Sequence, residues 1–377
     1  MAQSFLCSSP DPLGHVEIKT GSLSMLQYEP PFLPDQDYIA ELKAWGGRLH
    51  SLYFSLQDPR VSDARPRHEV RELEEIATGL AGLPGPKKYA LLNSRVHCPT
   101  DYFSSAALSP IRKRLDALLE SSVLDGIVYA DHYLLQALSD EDPKLCSRLE
   151  AVPSINFLLD NLEKIQNHCE YISHTHFQAP GLLILDRSLN RSFSRLQKLT
   201  QDLRRKVPGI ALGLLANEGC LPGCPFKLTH DAHISMANMG CGREMSSTSN
   251  QALGCSRYFR EDPSLILRSP FIRPEDAEAY EGTLDFLKLS GRTRGARAMA
   301  KVVRHYLQGT YHGNLVELMD TLESMAQSFL VPNQNLPADF GSRTKDCRLH
   351  CSDCSYCRHL AESLVEPQPL PIKPMWA

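Results

Sequence analysis

Short apolar runs recur along the chain from about residue 45 to 308, and each ends in polar residues and gives way to a segment of helical period. The runs are 49–55, 89–92, 126–129, 150–153, 182–185, 210–216, 265–267 and 285–289. Their length and β-branched or aliphatic content predict strands, and the absence of strict alternation predicts burial on both faces. The segments between them carry apolar stripes at three and four. Ile155, Phe157, Leu158, Leu159, Leu162 and Ile165 form one such stripe behind a Ser154 N-cap, and Val302, Val303, Tyr306 and Leu307 form another. Strands alternating with helices imply a parallel sheet. Eight such units predict an α/β fold of (β/α)8 TIM-like type, with the functional residues at the C-terminal ends of the strands.

The pattern divides the chain into three. Residues 1–44 are expected as an N-terminal edge or lid with a strand at 16–19, and 45–310 as the barrel. Residues 311–377 are expected as a C-terminal helix over 314–328, a linker and a cysteine-rich tail. Composition narrows the setting. The chain has 377 residues, 42% of them hydrophobic, with a net charge of −4 and a pI near 6.4. That is enough apolar material for a large core and gives no general attraction to nucleic acid. No apolar run is long enough to span a membrane, and the first residues lack a secretory pattern, so a reducing cytosolic setting is expected.

In such a setting clustered cysteines favour metal or redox chemistry over disulfides. Eight of the 12 cysteines fall into two sets of four. Cys220, Cys224, Cys241 and Cys255 follow the sixth run, opening with Asn217-Glu218-Gly219-Cys220. Cys347, Cys351, Cys354 and Cys357 lie within eleven residues near the end. Four thiolates close either an iron–sulfur cluster or a tetrahedral zinc site, and at the tail His350 or His359 is an alternative ligand. The bland alternative for Cys241 and Cys255 is a small buried side chain. Cys7, Cys98, Cys146 and Cys169 are scattered and expected to be structural.

Arg187, Asn190, Arg191, Arg268, Arg273, Arg292 and Arg294 follow the fifth, seventh and eighth runs, where a barrel of eight would gather them at one mouth. Guanidinium groups so placed suit a carboxylate or phosphate, and a small anionic substrate is expected there. Ion pairing with Asp186, Glu218, Glu275 and Asp276 is the competing role. His230, three residues before His233, joins Glu218 and Asp186 as candidate acid–base groups. No Gly-x-Ser-x-Gly or His-Glu-x-x-His motif is present to support a peptidase mechanism.

The stretch from Asn217 to Pro225, followed by Ala237-Asn238-Met239-Gly240-Cys241, resembles the cysteine region of the collagenase-like peptidase family U thirty-two. Pro274-Glu275-Asp276 and Lys288-Leu289-Ser290-Gly291-Arg292 resemble that family's last barrel strands. The resemblance covers roughly residues 45–310. It implies a TIM-barrel-like fold and, as in the UbiU and UbiV type, a 4Fe-4S cluster supporting oxygen-independent hydroxylation. It implies Cys220, Cys224, Cys241 and Cys255 as cluster ligands and a related chain as a possible partner subunit. The tail cysteines depart from the family pattern and leave room for a second 4Fe-4S cluster or a zinc ion.

Overall fold

The computed structural model describes residues 25–58, 61, 63–65, 71–347 and 350–368. Its eight principal strands are β1 (Gln27–Glu29), β2 (Ser51–Ser55), β3 (Lys87–Leu92), β4 (Gly126–Tyr129), β5 (Glu150–Pro153), β6 (Leu182–Leu185), β7 (Ala211–Leu215) and β8 (Phe286–Lys288). They form two four-stranded parallel sheets, β2-β3-β4-β5 and β1-β8-β7-β6. Parallel bridges Tyr28–Leu49 and Pro31–Tyr53 join the sheets along one seam. Along the other, Gln178, just before β6, bridges Glu150 of β5. A mixed α/β fold with parallel sheets therefore stands as expected.

Between successive strands run α1 (Gln36–Ala44), α2 (Leu73–Ala81), α3 (Ser105–Glu120), α4 (His132–Glu141), α5 (Pro143–Cys146), α6 (Leu162–Ser173) and α7 (Phe193–Lys206). Four short helices separate β7 from β8: α8 (Lys227–Asn238), α9 (Arg243–Ala252), α10 (Cys255–Glu261) and α11 (Ser264–Arg268). After β8 come α12 (Ala296–Gln308), α13 (Phe340–Thr344) and α14 (Tyr356–Leu364). The expected strand at 265–267 is thus the helix α11, because a three-residue apolar run carries no reliable period. The strand that takes its place is β1, which lies within residues 1–44. The expected strand at 16–19 lies outside the described residues. Ser154 caps only a 3-10 turn (Ile155–Phe157), and α6 starts afresh at its own cap, Asn161. The stretch 314–328 forms two 3-10 turns rather than one helix.

Alternation along the strands makes two cores. Tyr53, Tyr89, Leu91, Val128, Val152, Leu182, Ile184 and Phe286 meet one another between the sheets. Their neighbours, such as Leu52, Phe54, Ala90, Ile127, Leu183, Leu212 and Leu287, belong to the larger core shared with the helices. Gly213 is required here: a Cβ at this position would overlap the fully buried ring of Phe286. Inside the same space Lys288 of β8 reaches Glu29 of β1 at 2.7 Å, with its ammonium 3.4 Å from the centre of the Tyr53 ring. Gly213→Val should therefore overpack the inner core and lower unfolding stability by about 1–3 kcal/mol. Urea titration monitored by circular dichroism measures it, and an unchanged midpoint would contradict the placement of Phe286.

Candidate functional site

The polar residues that follow the strands do collect at their C-terminal ends. A narrow cavity of about 60 Å³ there is bordered by residues from seven of the strands or their trailing loops, among them Tyr53, Asn93, Ser154, Ile184, Glu218 and Ser290. A wider cleft of about 320 Å³ lies beside it, and Arg65, Asp63 and Arg292 line that cleft, Arg65 and Arg292 facing the cavity as well.

Asn217 fixes the wall that carries the first cysteines. This fully buried side chain donates to the carbonyls of Ser290 at 2.8 Å and Leu318 at 3.2 Å, and accepts from the Ser290 amide at 2.7 Å. Its own carbonyl accepts from the Asp320 amide at 2.7 Å, and the Gly219 amide donates back to the Asp320 carbonyl at 2.8 Å. Gly219 has no room for a side chain, since a Cβ would press on Leu322. Cys220 therefore leaves a rigid platform, and Gly223, at φ +55°, turns the chain before Cys224.

Charge around this platform is paired throughout. Glu218 forms an ion pair with Arg187 and stands 3.5 Å from Arg65. Arg65 reaches Asp320 at 2.8 Å. Burial by itself would raise the Asp320 pKa, but Arg65 and the Ser290 hydroxyl hold it below the usual carboxylate range. Arg292 pairs with Asp63. Lys227 donates to Asn156 at 2.9 Å and pairs with Asp231. Burial and the charge of Arg187 bring its pKa down to about 8, against the pull of Asp231 and Cys220. An amine with that pKa exchanges protons near neutrality, as a general acid or base must.

No family model matches the chain. An uncharacterized protease of Methanocaldococcus jannaschii, MJ1657, is 28% identical over 249 residues, which span 66% of this chain and 68% of that protein. The solved structure of the U32 peptidase Mk0906 covers 74% of this chain and 97% of its own, at 17% identity and a TM-score of 0.45. The chain resembles the U32 collagenase-like peptidases.

The cysteines implied by the U32 resemblance are placed as follows. Cys220, Cys224 and Cys255 are half-buried and Cys241 is exposed. Cys224 lies near Cys255: burial first, then Cys224, pushes the Cys255 thiol up, and that thiol donates to Asn250 at 3.4 Å. Cys220 is close enough for its charge to act on both Arg65 and Lys227. Cys241 ends the turn after α8, its amide donating to the Met236 carbonyl. Among the described residues no three Cys, His, Asp or Glu side chains stand close enough to hold a metal ion as they are. Four thiols are the donor types that a 4Fe-4S centre takes.

His230 sits in α8, where burial and then Arg65 lower its pKa. Asp186 accepts from the Ser188 amide at 2.9 Å, and its other oxygen is buried with no hydrogen-bond partner among the described residues. Asn190 and Arg191 turn away from the cavity. Asn190 donates to the carbonyls of Leu215 and Pro270, and Arg191 to those of Leu267 and Ser269. Arg294 donates to the Glu317 carbonyl, Arg268 lies 3.8 Å from Asp262, and Arg273 is held by Asp276. Of the expected arginines, Arg292 borders the cavity and Arg187 reaches its wall through Glu218. Cys146 is buried, as expected of a structural cysteine, and its thiol is pushed up to about 12 by that burial.

Arg65, Asp320, Lys227 and Asp231 also line the cavity and were given no role in the sequence, and Lys288, which lines it too, entered only as part of the 288–292 motif. Lys227 and Asp231, four apart and just beyond the cysteine loop, offered a helical-pair signal. Arg65 and Asp320 are 255 residues apart and offered none.

Asn217→Ala strands the Ser290 amide and two carbonyls, and each buried orphan costs about 1–3 kcal/mol. Chemical denaturation should show a loss of at least about 2 kcal/mol, and a loss below about 0.5 kcal/mol would refute the bracing role. Lys227 gives a pH signature. Its folded pKa lies below the unfolded value, so the unfolded chain binds the extra proton between about 8 and 10.5, and stability rises with pH across that window. Stability measured from pH 7.5 to 9.5 should climb in the native protein relative to Lys227→Met, and parallel curves would exclude the depressed pKa.

Proposed function

We propose that this chain is an iron–sulfur oxidoreductase of the U32 type. In this reading its two sheets close into a (β/α)8 barrel, and a small anionic molecule binds at the C-terminal ends of the strands. The observation that carries the reading is the position of Cys220: it follows the Asn217 platform and Glu218, which borders the cavity, and its charge reaches the cavity-lining Arg65 and Lys227. Cys220, Cys224, Cys241 and Cys255 would hold the 4Fe-4S cluster, which supplies one-electron chemistry when bound. The residues of the mouth have separate tasks. Arg65 and Arg292 border both the cavity and the cleft and present guanidinium groups to an acidic substrate. Such a substrate must compete with Asp320 and Asp63 for them, which favours a planar carboxylate or a phosphate able to accept two hydrogen bonds at once. Lys227 and His230 move protons, and Glu218 orients Arg187 and Arg65.

Oxygen-independent hydroxylation or a related biosynthetic step, in a reducing cytosol and with a related chain as partner, is the activity that fits this arrangement. Among the described residues no helix is long and apolar enough to cross a membrane. The protease name of the Methanocaldococcus relative favours a second reading, a peptidase. Protein purified without oxygen should be brown, with a broad visible absorption that air bleaches, and Cys220→Ser or Cys224→Ser should remove the share of it carried by the barrel-loop cluster. Colourless native protein, together with peptide hydrolysis that survives both substitutions, would replace the oxidoreductase with the peptidase.

A further inference from the structure

The four tail cysteines lie where the chain folds back onto α11 and the turn after β6. Phe193 donates its amide to the Lys345 carbonyl at 3.0 Å, and Ser194 its amide to the Asp346 carboxylate at 3.3 Å, which pins the backbone just before Cys347. Farther on, Phe340 of α13 stacks with Tyr356 of α14 at 6.5 Å between ring centres. Arg191 and Arg273 lie over the Phe340 ring at 5.7 and 5.1 Å. Cys357, in the first turn of α14, points its sulfur at the Leu267 carbonyl, 3.9 Å away.

Arg191 converges on the same carbonyl. Its guanidinium is buried at 4% exposure and donates to Leu267 at 3.2 Å and to Ser269. Among the described residues no carboxylate forms an ion pair with it. Asp276, whose charge reaches it, is committed to Arg273 through hydrogen bonds of 2.6 and 3.0 Å. A buried full charge whose hydrogen bonds all go to carbonyls is costly, and a nearby anion lowers that cost. From the tail, Cys347 and Cys357 are the groups whose charge would act on Arg191 once ionised by a bound metal, since burial holds the free Cys357 thiol above its usual range. Cys351 and Arg268 stand within electrostatic reach of Cys357 on the same patch.

We propose that Cys347, Cys351, Cys354 and Cys357 hold a 4Fe-4S cluster on this patch, with Arg191 as its buried counter-charge. Spacing decides the type of centre. Cys351, Cys354 and Cys357 form a C-x2-C-x2-C run, the arrangement that grips one 4Fe-4S cluster, and Cys347 supplies a fourth thiolate. Structural zinc sites instead draw two ligand pairs from either side of a longer loop. Cys354 is the exposed member, on the turn where its amide donates to the His350 carbonyl, and no three of these thiols yet stand together as metal ligands, so loading must draw all four together. Because Arg191 ends the turn that also carries Asp186 and Asn190, the tail centre is wired to the loop after β6 rather than hanging free. The inference does not depend on the cysteines near the cavity.

The test is metal and sulfide analysis of the full chain purified without oxygen, with Cys220→Ser and Cys224→Ser introduced to silence the barrel loop. The expected result is iron and acid-labile sulfide in equal amounts, about four of each per chain. An electron paramagnetic resonance signal should appear on reduction with dithionite. All of it should be lost when Cys351→Ser and Cys357→Ser are added. Arg191→Gln should move the reduction potential of this centre downward, and Arg191→Lys should move it less. Stoichiometric zinc without sulfide, no metal at all, or iron that survives the tail substitutions would each overturn the assignment. If the barrel-loop variant fails to fold, the tail substitutions are made in the native chain. A fall in iron and sulfide there supports the proposal, and an unchanged content refutes it. Iron lost on silencing the barrel loop reports on that loop alone, so the two centres are scored separately.

Discussion

The arrangement of the mouth depends on one buried amide. Asn217 ties the end of β7 to the loop after β8 and to the segment at 318–320, using both its donor hydrogens and its acceptor. An amide is suited to this because it offers donors and an acceptor in one plane, without a charge to desolvate. Glu218, Gly219 and Cys220 follow it directly, so their positions are consequences of that cross-link. The Asp320 backbone clamps the same strip from the other side and delivers its carboxylate to Arg65. A strand end, a distant loop and the first cysteine are thus parts of one hydrogen-bonded unit.

The second constraint is electrostatic. A mouth enclosed by two buried sheets cannot keep isolated charges, so each cation there has acquired an acid: Arg187 has Glu218, Lys227 has Asp231, Lys288 has Glu29, and Arg292 has Asp63. This pairing separates the arginines near the cavity from those the fold uses as struts. Arg191 and Asn190 satisfy backbone carbonyls, as buried polar groups must. The same accounting places Arg191 away from the cavity.

Much of this architecture was legible in the chain. Runs such as 182–185 and 126–129 are apolar at every position, which only a sheet covered on both faces requires, and they are strands. The polar residues behind them, Asn93, Ser154, Glu218 and Ser290, do line one cavity, because parallel strands all end on the same side. Where period was short the reading failed. The run 265–267 is a helical turn, and β1, three residues long and interrupted by no clear pattern, was hidden in what read as an edge. The U32 resemblance opened on the Asn217–Cys220 strip, and that strip is braced by the hydrogen bonds of Asn217 and Gly219.

The sequence alone determined the alternation of strands and helices, the side of the sheets on which polar residues gather, and the two groups of four cysteines. These follow from local period, turn chemistry and spacing, which act over a few residues and so are written in consecutive positions. Tertiary structure alone decided which charges meet. Arg65 with Asp320 and Lys288 with Glu29 are joined across long stretches of chain by burial, and no local pattern encodes a partner chosen by desolvation.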